Sequence, residues 1–276
     1  MELGFTDKHV LVTGGAGGLG EEIIQLLYQA GAKVSLHFNT NRENAVVIQE
    51  RCNKERVKLI QGDLRDEQQV QALFSSAITN FGRIDHLVAN AAIGSNKVLT
   101  SELSLQQWNN TINTNLTSVF LCVREFFKNL EEYPGRNGSI VLIGSTAGEV
   151  GEAGHADYSA SKAALMYGLT KTWKNEIIHY ASQGRVNTVA PGWFLTKMSE
   201  ESLKDENTLK TIIQTIPLAK IAAPNEVASA VVFLLSDRVS SHISGETLMI
   251  HGGMEGRVLH KKEDLDLSSI NSLKKK

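Results

Sequence analysis

The strongest constraint on this chain is a repeated alternation of short apolar runs with longer stretches of helical periodicity. The runs are His9 to Thr13, Lys33 to Phe38, Val57 to Gln61, His86 to Asn90, Ser139 to Gly144, Arg185 to Ala190 and Thr247 to His251. Helical patterns follow Gly18, Asn41, Asp66, Ser104, Ala156, Ser199 and Asn225. Strands separated by whole helices lie parallel, with the helices crossing over on both faces. The expected architecture is α/β: three layers, doubly wound, on a seven-stranded parallel sheet. At 276 residues and 42% hydrophobic content, the chain has enough apolar material to bury that sheet in one domain.

The first run passes straight into Thr13-Gly14-Gly15-Ala16-Gly17-Gly18-Leu19-Gly20, after which Glu21 to Ala30 reads as a helix stopped by Gly31. Glycines at 14, 18 and 20 let the backbone turn tightly, approach a pyrophosphate and pack the helix on the sheet, its N-terminus facing the phosphates. Alone such a turn is a weak signal, but between the first strand and the first helix it points to dinucleotide binding. The third run ends Gln61-Gly62-Asp63-Leu64 and the fourth Val88-Ala89-Asn90-Ala91-Ala92. Ligands of such sheets sit beyond the carboxyl ends of the strands. Asp63 is therefore a candidate acceptor for an adenine amine, and Asn90 a candidate support for the sheet edge or cofactor. Both residues equally suit helix capping and turns.

Chemistry enters at Tyr158-Ser159-Ala160-Ser161-Lys162. The pattern is unbroken from Tyr158 to Tyr180, which predicts one long amphipathic helix. Residues four apart share a face ~6 Å along the axis, so the phenol and the ammonium point the same way. A free tyrosine titrates near pH ~10, and a neighbouring cation is expected to pull that value toward neutrality. The spacing alone also describes a solvated helix face. Ser145, at the end of the run Ser139 to Gly144, changes the balance, because a strand-end hydroxyl and a phenol opening the next helix can converge on one substrate oxygen. Asn115 is the other anomaly, a polar residue among Leu116, Val119 and Phe120 within the helical segment from Ser104 to Tyr133. It either bends the helix around a water or faces solvent.

The formal charge of −2 creates no field that would recruit nucleic acid or an anionic membrane. Cys52 and Cys122 form neither a metal pair nor a disulfide framework, and no metal site is expected. No apolar run approaches the ~20 residues of a membrane span, and Met1 to Asp7 carry no basic leader region. The expectation is a soluble cytoplasmic protein.

From about Lys8 to Gly253 the chain resembles the short-chain dehydrogenase/reductase family. The residues that carry the resemblance are Thr13-Gly14-x-x-x-Gly18-x-Gly20, Asp63, Asn90-Ala91, Asn115, Ser145, Tyr158-x-x-x-Lys162 and Pro191-Gly192, in the family's order and spacing. The resemblance implies one Rossmann-type domain over 1–253, a nicotinamide cofactor, and a homotetramer or homodimer, the tetramer packed through the long fourth and fifth helices and the last strand. It implies a catalytic set in which Tyr158 exchanges a proton with the substrate oxygen and Ser145 holds that oxygen. Lys162 bonds the nicotinamide ribose and lowers the tyrosine pKa, and Asn115 holds a water linking Lys162 to solvent. Implied cofactor contacts are Gly14, Gly18, Leu19, Gly20, Asp63, Leu64, Asn90, Ala91, Tyr158, Lys162, Pro191, Gly192 and Thr196, the last on the carboxamide. The chain departs from the family's Asn-Asn-Ala-Gly, which reads Ala89-Asn90-Ala91-Ala92 here, and at His251, where an aspartate is usual. It also carries an extension, 254–276, expected to be partly ordered, with a place at a subunit interface as a further idea.

After the second run the chain reads His37-Phe38-Asn39-Thr40-Asn41-Arg42, with no acid before Glu43. An acid there would bond the ribose hydroxyls and repel a 2′-phosphate, so NADP(H) is favoured over NAD(H), with Asn39, Thr40 and Arg42 as phosphate contacts. The glycine turn lacks the basic residue that many NADP-preferring relatives carry, which leaves NAD(H) open. Substrate recognition is expected from Thr146 to Asp157 and from a flap at about 193–224. There Trp193, Phe194, Leu195 and Met198 form either an apolar wall or the core of a small cap, and His155 reads as an exposed loop residue. The expected activity is NAD(P)(H)-dependent interconversion of an alcohol with a ketone or aldehyde on a small molecule. A 3-oxoacyl thioester comes first and a sugar, polyol or other small carbonyl second. The reading from another class, a non-catalytic nucleotide-binding sensor or scaffold, is opposed by the intact set of Asn115, Ser145, Tyr158 and Lys162.

Overall fold

The computed structural model describes residues 2–195, 204–256, 258, 260–268 and 270. Its strands are β1 (His9–Val12), β2 (Lys33–Phe38), β3 (Val57–Gln61), β4 (His86–Ala89), β5 (Asn137–Ile143), β6 (Gln183–Pro191) and β7 (Thr247–Ile250). They form one parallel sheet in the order β3-β2-β1-β4-β5-β6-β7. Each expected strand is present, with ends displaced by at most two residues. β5 and β6 both start early because they pair with each other there, Asn137 opposite Gln183.

Alternation along the strands divides the core in two. Val10 and Val12 of β1 and Val141 and Ile143 of β5 face one side, while Leu11, Ile140 and Leu142 face the other. The first side is covered by α1 (Gly18–Gln29), α2 (Arg42–Arg51) and α10 (Pro224–Leu235), through Ile23, Ile24, Leu27, Ile48, Val227 and Val231. The second is covered by α3 (Glu67–Phe81), α5 (Ser118–Glu132) and the helix that begins near Tyr158, through Leu73, Phe126, Leu130, Leu165, Trp173 and Ile177. A sheet buried on both faces requires near-continuous apolar strands, which is why the runs were legible.

Two long helices contain a wider turn. α4 (Leu105–Ile112) passes into α5 through a π-helical turn at Asn113–Thr117. α7 (Ala156–Ala163) likewise passes into α8 (Thr170–Glu176) through Ala164–Leu169 and ends in a tight turn at Ile177–His179. The single helix expected from Tyr158 to Tyr180 is thus continuous but not uniform. A π turn displaces carbonyls from their regular partners. Here Thr170 Oγ1 donates to Leu165 O at 2.7 Å, leaving Thr188 Oγ1 to donate to it at 2.6 Å.

A short helix, α6 (Thr146–Val150), lies within the connection from β5 to α7. α9 (Glu206–Ile213) begins behind Asp205, whose carboxylate accepts the Thr208 amide at 2.7 Å. Thr196, Met198 and Ser199, after which a helix was expected, lie outside the described residues. The extension past Gly253 folds back on its own chain. Leu265, Leu267 and Ile270 are buried with Leu209, Ile213 and Ile221, and Trp193 and Leu195 pack against them. The amide of His260 donates to Gln214 O at 3.2 Å, and its ring Nε2 meets Ile216 O at 3.1 Å. Trp193 and Leu195 thus belong to a small cap rather than to a free apolar wall.

Candidate active site

Strand order reverses direction between β1 and β4, and the carboxyl ends of those strands bound the crevice where such sheets take ligands. The β1 end cannot be built with side chains. Gly14 has φ +62°, and a Cβ there would lie 2.8 Å from Ala91 Cα, while one on Gly20 would lie 2.4 Å from Gly14 O. Gly17, the residue before α1, offers no side-chain cap, so the first-turn amides of Gly18, Leu19 and Gly20 stay open to an anion. The turn is laced to β4 by Thr13 Oγ1, which accepts the amides of Asn90 and Ala91 at 3.0 and 3.1 Å. Asn90 Nδ2 donates to Thr13 O and Gly14 O, both at 3.0 Å, so its amide supports the sheet edge. Ala92 is accommodated without a left-handed backbone, which non-glycine residues adopt only at Asp7 and Ala219 among the described residues. A close-approach turn in front of an uncapped helix start fits the pyrophosphate of a dinucleotide.

The flanks of this cradle carry the remaining sequence candidates. At the β3 end Leu64 is buried, and Asp63 is clamped by Arg65 with Nη2 to Oδ2 at 2.5 Å. The Arg65 hydrogen bond holds the Asp63 carboxyl below its ordinary value. Adenine would therefore meet an already paired carboxylate. At the β2 end Asn39, Thr40 and Arg42 are exposed, and Thr40, Asn41, Arg42, Glu43 and Val46 line an open depression. Asn41 Oδ1 caps α2 through the Asn44 amide, and Asn44 Nδ2 reaches back to Ala16 O at 2.9 Å. At the β6 end the Gly192 amide donates to Ile250 O at 2.9 Å, and a Cβ on Gly192 would lie 2.9 Å from His251 Cβ.

Beside the cradle, at the end of β5, Ser145 is the extended residue before α6, and its Oγ accepts the Ala147 amide at 3.2 Å. That leaves its proton free, and the hydroxyl is near enough to the Tyr158 phenol to favour its ionised form. The approach depends on glycine. A Cβ on Gly148 would fall 2.8 Å from Lys162 C and Ala163 N, so α6 lies directly on the helix that carries the tyrosine. Lys162 is buried, its Nζ donates to Ile143 O at 2.8 Å, and it stands 5.6 Å from the Tyr158 ring centre. The structure thus brings Ser145, Tyr158 and Lys162 together at one strand end.

Their electrostatics correct one expectation. Burial raises the Tyr158 pKa, the Ser145 hydroxyl opposes that rise and the Glu152 carboxylate adds to it. The lysine, expected to pull the phenol down, is itself lowered to about 8 by burial. Burial is the largest influence on the phenol, which keeps its proton at neutral pH.

Asn115 answers both alternatives left by the sequence. It is buried inside the first π turn, not exposed, and its side chain pairs with one residue. Oδ1 accepts the Ile93 amide at 2.8 Å and Nδ2 donates to Ile93 O at 2.9 Å, which ties the loop after β4 to the helix. A water linking Lys162 to solvent would therefore rest on backbone groups rather than on this side-chain pair. Asp157 escaped the sequence reading. Fully buried beside Tyr158, its Oδ2 accepts Thr111 Oγ1 at 2.7 Å and Gln107 Nε2 at 3.3 Å, bolting α4 to α7. An acid directly before the tyrosine, in the first turn of a helix, was the available signal. His155, expected to be exposed, is partly buried with Nδ1 3.2 Å from Ser95 Oγ.

Comparison with known proteins agrees with this geometry. The family model described as short chain dehydrogenase matches residues 8–207. The 3-oxoacyl-[acyl-carrier-protein] reductase FabG of Staphylococcus aureus is 34% identical over 250 residues, covering 90% of this chain and 98% of that one. The acetoacetyl-CoA reductase of an Acinetobacter species is 36% identical over 250 residues, covering 90% and 97%. Among solved structures, a short-chain dehydrogenase/reductase from Brucella melitensis, named as a glucose/ribitol dehydrogenase, superposes with a TM-score of 0.83 at 31% identity, covering 92% and 98%. The chain belongs to the short-chain dehydrogenase family and is an NAD(P)-dependent oxidoreductase acting between CH–OH and keto groups.

Proposed function

We propose that the protein reduces the carbonyl of a 3-oxoacyl thioester and prefers NADP(H). The observation that carries this reading is the Ser145 hydroxyl set against a Tyr158 phenol that burial keeps protonated. Such a phenol is a proton donor, which suits the reductive direction. The bound nicotinamide would supply the hydride. Tyr158 would deliver its proton to the substrate oxygen and Ser145 would donate a hydrogen bond to the same oxygen. Lys162 has one of its three N–H groups on Ile143 O and two left for a ribose. Gly14, Gly18, Leu19 and Gly20 would hold the pyrophosphate, Asp63, Leu64, Asn90 and Ala91 the adenosine side and crevice floor, and Pro191, Gly192 and Thr196 the carboxamide side.

The thioester is supported by relatives named for 3-oxoacyl-carrier-protein and acetoacetyl-CoA reduction. The preference for NADP(H) is supported by exposed Asn39, Thr40 and Arg42 at the β2 end. A polyol or sugar is the second reading, favoured by the polar pair of Ser95 and His155, the histidine standing three residues before Tyr158, and by the likeness to the Brucella glucose/ribitol dehydrogenase. Exposed Phe120, Tyr167 and Ile178 on the two long helices support a homotetramer or homodimer. No helix among the described residues is long and apolar enough to cross a membrane.

The test follows reduced-nicotinamide absorbance with acetoacetyl-CoA, simple ketones, sugars and polyols, using both cofactors. Oxidation of NADPH fastest with acetoacetyl-CoA, falling by about 10²–10⁴-fold in Tyr158→Phe with cofactor binding kept, is the expected result. Turnover confined to sugars or polyols would overturn the substrate. A kcat/KM with NADH equal to that with NADPH would overturn the cofactor preference.

A further inference from the structure

His37 stands in the middle layer between the two parts of the cofactor crevice. Its Nδ1 accepts the Gly14 amide at 3.0 Å, and its Nε2 meets Gly62 O at 3.0 Å. An amide only donates and a carbonyl only accepts, so the ring is held neutral with its proton on Nε2. The imidazole is 2% exposed and makes no other side-chain bond among the described residues. It therefore spans from the glycine turn at the β1 end to the shelf of Gly62, Asp63 and Leu64 at the β3 end. Backbone bonds beside it run from Gly15 N to His37 O at 2.8 Å and from Gly62 N to Phe38 O at 3.2 Å. Among the described residues, only the ring joins the two outer ends through a single side chain.

We propose that His37 is a positioning residue for the dinucleotide: its neutral imidazole sets the separation of the glycine turn from the β3 shelf, and protonating it loosens cofactor binding. This inference rests on dinucleotide binding in the crevice described above. A protonated ring carries N–H on both nitrogens, and the one on Nδ1 would point at the Gly14 N–H. Two donors would then face each other across 3.0 Å. Gly14 already occupies φ +62° against Ala91, so the turn has little room to yield except by moving away from the shelf. Burial keeps the ring from protonating near neutrality, opposed by the Gly62 carbonyl and the Asp63 carboxylate. Asp63 is the one charged group acting on the ring from the packed elements among the described residues, and Arg65 holds it ionised well into acid.

The experiment measures binding rather than turnover. Dissociation constants of NAD+ and NADP+ are determined by calorimetry from pH 8 to pH 5 for the natural chain, His37→Gln and His37→Phe. The natural chain should lose affinity for both dinucleotides toward the acid end, and loss with NAD+ separates the effect from titration of the 2′-phosphate. His37→Phe, which removes both bonds, should bind about tenfold or more weakly at pH 8. His37→Gln keeps one acceptor and one donor and does not titrate, so its affinity should change far less with pH than that of the natural chain. An acid limb in His37→Gln equal to the natural one overturns the proposal, as does a folded His37→Phe with natural affinity. Should His37→Phe fail to fold, the comparison of the other two proteins decides. A natural chain that binds neither dinucleotide at any pH removes the reading of the crevice itself, a different result from one in which binding occurs and ignores His37.

Discussion

Lys162 is a buried cation in a protein that would be more stable without it, and replacing it with methionine tests that directly. The side chain is 3% exposed, and burial takes its pKa from 10.5 to about 8. At about 1.36 kcal/mol per pH unit, that gap costs the folded state about 3 kcal/mol whenever the lysine is charged in both states. Methionine removes this cost and fills similar space, but it also strips the donor from Ile143 O, a loss of about 1–3 kcal/mol. The net at pH 7 is a gain of about 0–2 kcal/mol in a variant expected to lack useful turnover. Dependence on pH separates the two contributions. Because the folded pKa is the lower one, the unfolded chain binds more protons between about 8 and 10.5, and natural stability rises with pH across that window. From pH 7 to pH 9.5 the natural chain should gain about 2 kcal/mol relative to Lys162→Met, while the carbonyl contribution cancels. The assay is reversible urea unfolding of both proteins at fixed concentration, which keeps any assembly contribution constant. Parallel stability curves over that range would refute the reasoning.

His86 makes the opposite test in acid: buried, with Nδ1 unpartnered, it is lowered by burial to about 4, so its contribution is full above 6.5 and fades as pH falls through that gap. Stability should be about 2 kcal/mol lower at pH 5 than at pH 7.5 from this residue alone, and His86→Phe should flatten that slope in urea titrations. Asp157→Ala orphans Thr111, removes one of two acceptors from Gln107, and should cost about 1–3 kcal/mol in unfolding while lowering kcat more than cofactor affinity; Thr111→Val should reproduce part of both. Ending the chain at Gly253 removes Leu265, Leu267 and Ile270, each contributing about 1.5–3 kcal/mol of burial, and should speed proteolysis between 204 and 222 without altering cooperative unfolding of the sheet.

Much of the architecture was legible because its signals are local. Apolar runs such as His9 to Val12 announce strands buried on both faces, and the glycines after β1 announce a turn that tolerates no Cβ. Ser145, Tyr158 and Lys162 were identified by spacing on consecutive elements, and the structure brings them together. The wider turns were not legible, since nothing in Ala164 to Leu169 breaks the helical period; Thr170 and Thr188 sustain that turn from outside the pattern. The direction of the Tyr158 shift was misjudged for a similar reason. Four residues of sequence show a cation nearby, but not how thoroughly the surroundings exclude water.

Sequence by itself determined the layer order, the crevice and the candidates for the reacting groups, because periods of two and 3.6 residues and the sterics of glycine act over a few neighbouring positions. Tertiary structure alone decided what each group is bonded to and how it ionises. Gly14 finds His37 across 23 residues, Lys162 finds Ile143 across 19, Asn115 finds Ile93 across 22 and Asp157 finds Thr111 across 46. Desolvation and hydrogen-bond partnership are properties of an assembled environment, and that environment forms only once the strands have taken their places in the sheet.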